Sequence, residues 1–320
     1  MTPVTEETRL LQAGPDGLGQ AADLLRQGRL VAFPTETVYG LGADATNDRA
    51  VAAVFDAKGR PRFNPLIVHL PDVAAARRLA VFTDDAERLA DAFWPGPLTL
   101  VLRLREGTGL SPLVTADLPT VALRVPAHPV AHALLAAFGG PVAAPSANPS
   151  GKVSPTRPEH VLEGLSGRIA AVVDGGACAV GVESTIVGLD GEAALLRPGG
   201  IPAEAIEACL GRPLAQGGSA EKPSAPGQLA SHYAPAARVR LDAATPAPGE
   251  VWLSFGAGNE GLPLSPTGDL IEAAANLFHL LREADRRAGP QGAIAVAPIP
   301  DHGLGRAIND RLRRAAAPRP

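Results

Sequence analysis

Up to about residue 210, short apolar runs alternate with stretches whose apolar residues recur at helical spacing, and this alternation leaves few architectures open. The runs LVAF (30–33), PLIVHL (65–70), PLTLVLRL (97–104), TVALRVP, PVAAP, IAAVVDGG and STIVGL are short and bounded by turn residues, and they read as strands. Between them, NDRAVAAVFDAK, DDAERLADAF, PVAHALLAAF and RPEHVLEGL space their apolar residues as helices do. Strands alternating with helices predict α/β layering. With 46% hydrophobic but only 4% aromatic residues, the cores must be built mainly from Ala, Val and Leu.

Over residues 211–228 the composition shifts to Gly, Pro, Ser and Ala without periodicity, which predicts a linker. A smaller unit follows: strands at VRLD and EVWLSF, a helix over 270–287, a strand at AIAVAPI and a last helix near 305–316. The expected division is therefore a first domain over 1–211, a linker over 212–234 and a second α/β domain over 235–320.

A net charge of −4 argues against binding phosphate backbones by charge alone. The two cysteines, Cys178 and Cys209, form no CxxC pair and suit a reducing compartment. No apolar run approaches membrane-spanning length and the N-terminus lacks a signal pattern, so a cytoplasmic protein is expected.

Several motif-like strings carry no chemistry. GAGNEG (256–261) follows a strand but runs into LPLSPTG, which has two prolines and no helical pattern, so it reads as a turn rather than a dinucleotide loop. SGKV (150–153) lacks the rest of a Walker A motif, and no Gly-x-Ser-x-Gly elbow is present. His128 and His132 have no acidic or cysteine companions, and Pro129 between them opens a helix, so their role reads as structural.

Polar side chains instead gather where strands end. Thr35, Glu36 and Thr37 follow LVAF directly, an odd choice at the mouth of a core. KGRPRFNP sets Lys58, Arg60, Arg62 and Asn64 on what reads as an exposed loop stiffened by Pro61 and Pro65. Cations so close repel one another unless an anion sits among them. APSANPSGKVSPT offers small hydroxyl and amide groups that suit phosphate or ribose oxygens. Glu183 and Ser184 open a strand that would otherwise be apolar, and Arg124, amid apolar neighbours, must be paired. Together these residues predict a nucleotide groove without a P-loop.

FPTETVYGLGADA, KGRPRFNPLIVHL, WPGPLTLVL, TVALRVPAHP, AAPSANPSG, GVESTIV and LLRPGG resemble, in order, the YrdC-domain family. APGQLASHYAP and GLGRAINDRLRRAA resemble its longer, two-domain members, the threonylcarbamoyl-adenylate synthases. The resemblance implies a twisted mixed sheet flanked by helices, followed by a smaller Rossmann-like α/β domain. It also implies condensation of L-threonine, bicarbonate and ATP, with Mg²⁺, into threonylcarbamoyl-AMP and pyrophosphate. A partner transferase complex would then modify N6 of tRNA adenosine 37; no tightly bound organic cofactor is implied, and direct tRNA binding stays open.

By the same resemblance Thr37, His69, Arg124, Ala144 and Ser184 match threonine-contacting positions. Arg60, Asn64, Thr120, Ser146, Ser154, Arg197 and Tyr233 match ATP-contacting ones, with Lys58 near the phosphates. Lys58, Arg60, Ser146 and Asn148 carry the Lys-x-Arg and Ser-x-Asn signatures and are the expected catalytic set. Glu36 could act as a base or as a structural acceptor. Residues 224–233 are expected to close over the nucleotide as a lid. Two competing readings are a double-stranded RNA-binding module, which the arginines of the last helix as a solvated basic face would serve, and a regulatory nucleotide-binding protein without turnover.

Overall fold

A computed structural model describes residues 7–217, 225, 232–257 and 260–318. The chain runs through β1 (Arg9–Gln12), α1 (Pro15–Arg26), β2 (Val31–Phe33), β3 (Gly40–Asp44), α2 (Asp48–Lys58), β4 (Ile67–His69), α3 (Val73–Leu79) and α4 (Asp84–Phe93). It continues with β5 (Leu98–Arg103), the short α5 (Pro112–Thr115), β6 (Thr120–Arg124), α6 (Pro129–Phe138), β7 (Val142–Ala143) and α7 (Pro158–Leu165). Then come β8 (Ala171–Asp174), β9 (Thr185–Gly188), β10 (Ala194–Arg197), α8 (Ala203–Leu210) and β11 (Ala215–Gln216). After it lie β12 (Arg238–Arg240), β13 (Glu250–Phe255), β14 (Leu262–Ser265), α9 (Leu270–Ala288), β15 (Ala293–Val296) and α10 (Gly305–Ala316).

Among the described residues the strands form two sheets. The larger is mixed and eleven-stranded, in the order β1-β8-β2-β3-β7-β4-β6-β5-β9-β10-β11; the smaller, β12-β15-β13-β14, is all parallel. The seven apolar runs of the first unit all form strands. Four others there went unread: β1 and β11 are the sheet's edges, β10 neighbours an edge, and β3 contains two glycines. Ala215–Gln216, inside the stretch read as a linker, pairs with β10. In the second unit LPLS, read as part of a turn, is the edge strand β14, where Pro263 costs no ladder bond on the open side.

Local signals set the helix ends that matter for the site. Asn47 caps α2 by accepting from the N–H groups of Arg49 and Ala50, and Gly59, at φ 61°, ends it in a left-handed turn that launches Arg60. His128 caps α6 through Val130 N–H, a structural use of that ring.

Both units share one apolar seam. Val38, Val153, Val182 and Tyr233 pack with Leu277 and Phe278 of α9 and Ile308 and Leu312 of α10. Burying each large side chain there contributes about 1.5–3 kcal/mol. At Gly181 (φ 75°) a Cβ would lie 2.4 Å from the Ala274 carbonyl oxygen, so only glycine lets this loop meet α9. No helix among the described residues is long and apolar enough to cross a membrane.

Candidate active site

The sheet order β7-β4-β6 brings two polar positions and a small apolar one side by side. His69 ends β4 opposite Arg124 of β6 on one side and Val142 of β7 on the other, with Ala144 just beyond β7. The loop after β2 closes over them. A cavity forms here, lined by Thr35, Thr37, Arg60, His69, Arg124, Ala144, Ser146, Glu183, Ser184, Arg197, His232 and Tyr233, among others. The space within it that water could enter is about 50 Å³, so a nucleotide requires the lining to part.

The Thr-Glu-Thr run proves to be a hydrogen-bond relay. Thr35 Oγ1 donates to the Val38 carbonyl at 2.7 Å, which spends its one proton. Thr37 therefore donates to Thr35 across 2.8 Å and accepts from Arg124 Nη1 at 2.9 Å. Glu36 Oε1 pairs with Arg124 Nη2 at 2.6 Å, and its other oxygen accepts from Ala127 N–H at 3.1 Å. Both oxygens are thus engaged in holding Arg124 and its loop, the work of a structural acceptor. The ring of His69 sits 3.3 Å from the Ile67 carbonyl through Nδ1, which places the proton there and leaves Nε2 as an acceptor.

Lys58 and Arg60 are not exposed, contrary to the expectation from sequence: they are 3% and 8% accessible. Lys58 Nζ donates to the carbonyls of Ser146 and Asn148, each at 2.5 Å, bracing that loop from beneath rather than lining the cavity. Arg60 reaches the carbonyls of Pro65 at 3.0 Å and Asn64 at 3.4 Å. Burial and the Arg60 charge pull Lys58 below a lysine's ordinary value; burial brings Arg60 to about 10. Burial likewise lowers Arg197 to about 10, while its guanidinium donates to the Ser184 carbonyl and hydroxyl.

Asn64, Thr120, Asn148 and Ser154 stand back from the cavity. Among the described residues, both amide atoms of Asn64 and Oδ1 of Asn148 are buried without a partner. Such orphans cost about 1–3 kcal/mol each and mark groups that a ligand or water can satisfy. Ser154 donates to Glu183 Oε1 at 2.5 Å, and Thr120 opens β6 facing Arg103 of β5.

Of the segment expected to act as a lid, Ala225, His232 and Tyr233 are described and the rest lies outside the described residues. Tyr233 is 1% accessible at φ 60°, a strained conformation for a bulky residue. It is held there by packing on Phe278 and His232 and by the Ala234 N–H bond to the Gly151 carbonyl at 2.8 Å. Thr35 and Glu183, read from sequence as part of the groove but matched to no ligand, line the cavity, and so does His232, which was not among the expected site residues although SHYAP stood out.

Burial holds three imidazoles, His69, His160 and His232, neutral down to about pH 3. An unfolded chain would protonate them near 6.5, so between 6.5 and 3 it binds protons the native state refuses. Stability is therefore expected to fall steadily as pH drops below about 6.5. Urea midpoints at pH 7.5 and 5 test this, and equal midpoints would refute it.

The family profile described as telomere recombination, that of Sua5, YciO and YrdC, matches residues 23–199, and the profile of the threonylcarbamoyl-AMP synthase C-terminal domain matches 201–317. The chain belongs to the Sua5–YciO–YrdC family, among its two-domain Sua5 members. It is 42% identical to the threonylcarbamoyl-AMP synthase of Bacillus subtilis, over 99% of this chain and 96% of that one. It is also 42% identical to the synthase of Pyrococcus abyssi, over 92% and 93%. The crystal structure of P. abyssi Sua5 complexed with L-threonine superposes with a TM-score of 0.88 at 40% identity, covering 97% of this chain and 98% of that one. Escherichia coli YciO shares the fold of the first unit at 22% identity and a TM-score of 0.55, covering 61% of this chain and 96% of that one.

Proposed function

We propose that the chain is an L-threonylcarbamoyladenylate synthase, joining L-threonine, bicarbonate and ATP into threonylcarbamoyl-AMP and pyrophosphate. The observation that carries this reading is buried positive charge. Arg60, which lines the cavity, hydrogen-bonds only backbone carbonyls among the described residues, and a buried cation without a carboxylate is costly until an anion arrives. A triphosphate is such an anion. Arg124 offers a planar fork for the amino-acid carboxylate, beside Thr37, His69, Ala144 and Ser184, while Arg60, Ser146, Arg197 and Tyr233 serve the nucleotide. Lys58 and Asn148 act by shaping the loop that carries Ser146.

The reaction needs positioning and charge neutralisation more than a protein nucleophile. His69 Nε2 can accept a hydrogen bond from the neutral threonine amine, whose lone pair attacks the carbon of bicarbonate (or the CO₂ it releases), bicarbonate's hydroxyl leaving as water with the proton the amine loses. A carbamate oxygen then attacks the α-phosphorus, its bond to the bridging oxygen breaks, and pyrophosphate leaves towards Arg60 and Arg197. Among the described residues no cluster of three or more His, Cys, Asp or Glu could hold a metal, and both carboxylates at the site, Glu36 and Glu183, are already ion-paired. A protein-held ion does not fit these residues; Mg²⁺ would enter as part of the ATP substrate. The adenylate would pass to a tRNA-modifying transferase. The catalytic domain would run past the expected boundary at 211 to include β11, and 235–320 would form the second domain.

The RNA-binding reading loses its basic face. Of the last helix's arginines, Arg311 is buried, Arg306 lies 3.4 Å from Glu204, and Arg314 pairs with Asp310 at 3.0 Å. The test is incubation with ATP, Mg²⁺ and bicarbonate, with and without threonine. Threonine-dependent pyrophosphate release and a threonylcarbamoyl-AMP mass are expected. Salt-sensitive RNA binding without turnover would overturn the assignment.

A further inference from the structure

Arg311 is the most buried charged side chain of the second unit, 1% accessible, and it does not line the cavity. It belongs to a helix whose buried stripe also contains Ile308, Leu312 and Ala315, so it projects from the apolar face of α10 into the first unit. There its Nε donates to Glu183 Oε2 at 2.8 Å and its Nη1 to the Pro198 carbonyl at 2.8 Å. Its guanidinium carbon lies 5.4 Å from the centre of the Tyr233 ring. Its Nη1 also holds Asp310 of the same helix at 2.9 Å; each partner outside that helix leads to a group given to the nucleotide. Glu183 Oε1 takes the Ser154 hydroxyl, Pro198 follows Arg197, and Tyr233 closes the cavity.

We propose that Arg311 is a positioning residue that makes the ATP half of the site depend on docking of the second unit. Without it three things loosen together: the Glu183–Ser154 pair, the turn after Arg197 and the seat of Tyr233. The threonine half depends on it far less: Thr37, His69 and Arg124 are held by Glu36, Thr35 and the Ile67 carbonyl, none of which touches Arg311, and Ser184, bonded to Arg197, is the link between the halves. Burial alone would push the Glu183 carboxyl up; the charges of Arg311 and Arg197 outweigh it and hold the carboxyl below its ordinary range. Losing Arg311 therefore also strands a buried carboxylate, and the test must separate that penalty from positioning.

The inference rests on the nucleotide reading of this cavity. Its test uses the ATP dissociation constant from calorimetry, which needs no turnover, so failure of the synthase assay in the wild type is a separate result. Arg311→Met is expected to weaken ATP binding about 10–100-fold, the usual range for a lost charged hydrogen bond, with threonine binding changed by less than about threefold. Arg311→Lys keeps the charge without the fork and should fall between wild type and Met. Adding Glu183→Gln to Arg311→Met removes the stranded charge while leaving an acceptor for Ser154. The double variant should recover thermal stability without recovering ATP affinity. Recovery of both, or equal weakening of ATP and threonine, would make Arg311 merely structural and overturn the proposal. Should Arg311→Met fail to fold, the Lys variant decides it: unchanged ATP affinity refutes.

Discussion

Arg60→Ala is expected to lower threonine-dependent pyrophosphate release by about 10²–10³-fold, the loss seen when one preorganised charge-stabilising donor is removed. Arg60 faces the cavity and its backbone partners, the Asn64 and Pro65 carbonyls, occupy only part of its five-donor fork. What remains can meet charge that develops between the α-phosphorus and the departing pyrophosphate. Because the side chain is buried, a melting curve must accompany the rates: the claim is a fall in turnover in a protein that still unfolds cooperatively. Lys58→Ala should be similarly slow for a different reason. It frees the Ser146 and Asn148 carbonyls from their shared donor and lets the loop drift, so stability falls as well. Wild-type pyrophosphate release by Arg60→Ala would remove the anion site from this cavity.

The contrast between these two cations shows what sequence can and cannot carry. Three cations and an amide within seven residues announced a site, and of these four side chains the structure brings Arg60 to the cavity wall, while Asn64 stands back from it. Charge was read as exposure, however, and that inference failed, because Gly59 turns the chain inward after α2 and backbone carbonyls receive both cations. Strands were legible where both faces are buried, as in LVAF or PLTLVLRL. They were not legible at the edges: three of the four residues of β1 face water, and β14 carries a proline that an edge tolerates. β3 is hidden for a packing reason: a Cβ at Gly42 would stand 2.9 Å from the Phe33 ring, so apolar side chains are excluded there.

Arg311 is the clearest case of a site residue that composition conceals. Among Arg306, Arg313 and Arg314 it reads as one more member of a basic run. Helical spacing alone distinguishes it, since it falls with Ile308, Leu312 and Ala315 on the stripe that faces the first unit. A charged residue on an apolar stripe requires a buried partner. Here the partner, Glu183, is itself a charged residue at the start of an apolar strand, so each oddity explains the other.

Valine is expected to be used at least about 10³-fold less efficiently than threonine, whereas serine should lose only about 10–200-fold. The two analogues differ from threonine in opposite ways. Serine lacks a methyl, whose burial is worth about 1–3 kcal/mol in an apolar pocket. Valine keeps the shape and lacks the hydroxyl. The cavity is built to notice that loss: Thr37 has given its proton to Thr35, and Ser184 shares 2.7 Å with Thr99 while accepting from Arg197. The lone pairs these hydroxyls have left cannot turn to water once a substrate has closed the space around them. An unpaired polar group in such a place costs more than a missing methyl. The measurement is kcat/KM for pyrophosphate release with each amino acid under one set of ATP and bicarbonate concentrations. Valine matching serine would mean that no protein group bonds the substrate hydroxyl, and selection for threonine would then have to arise from shape alone.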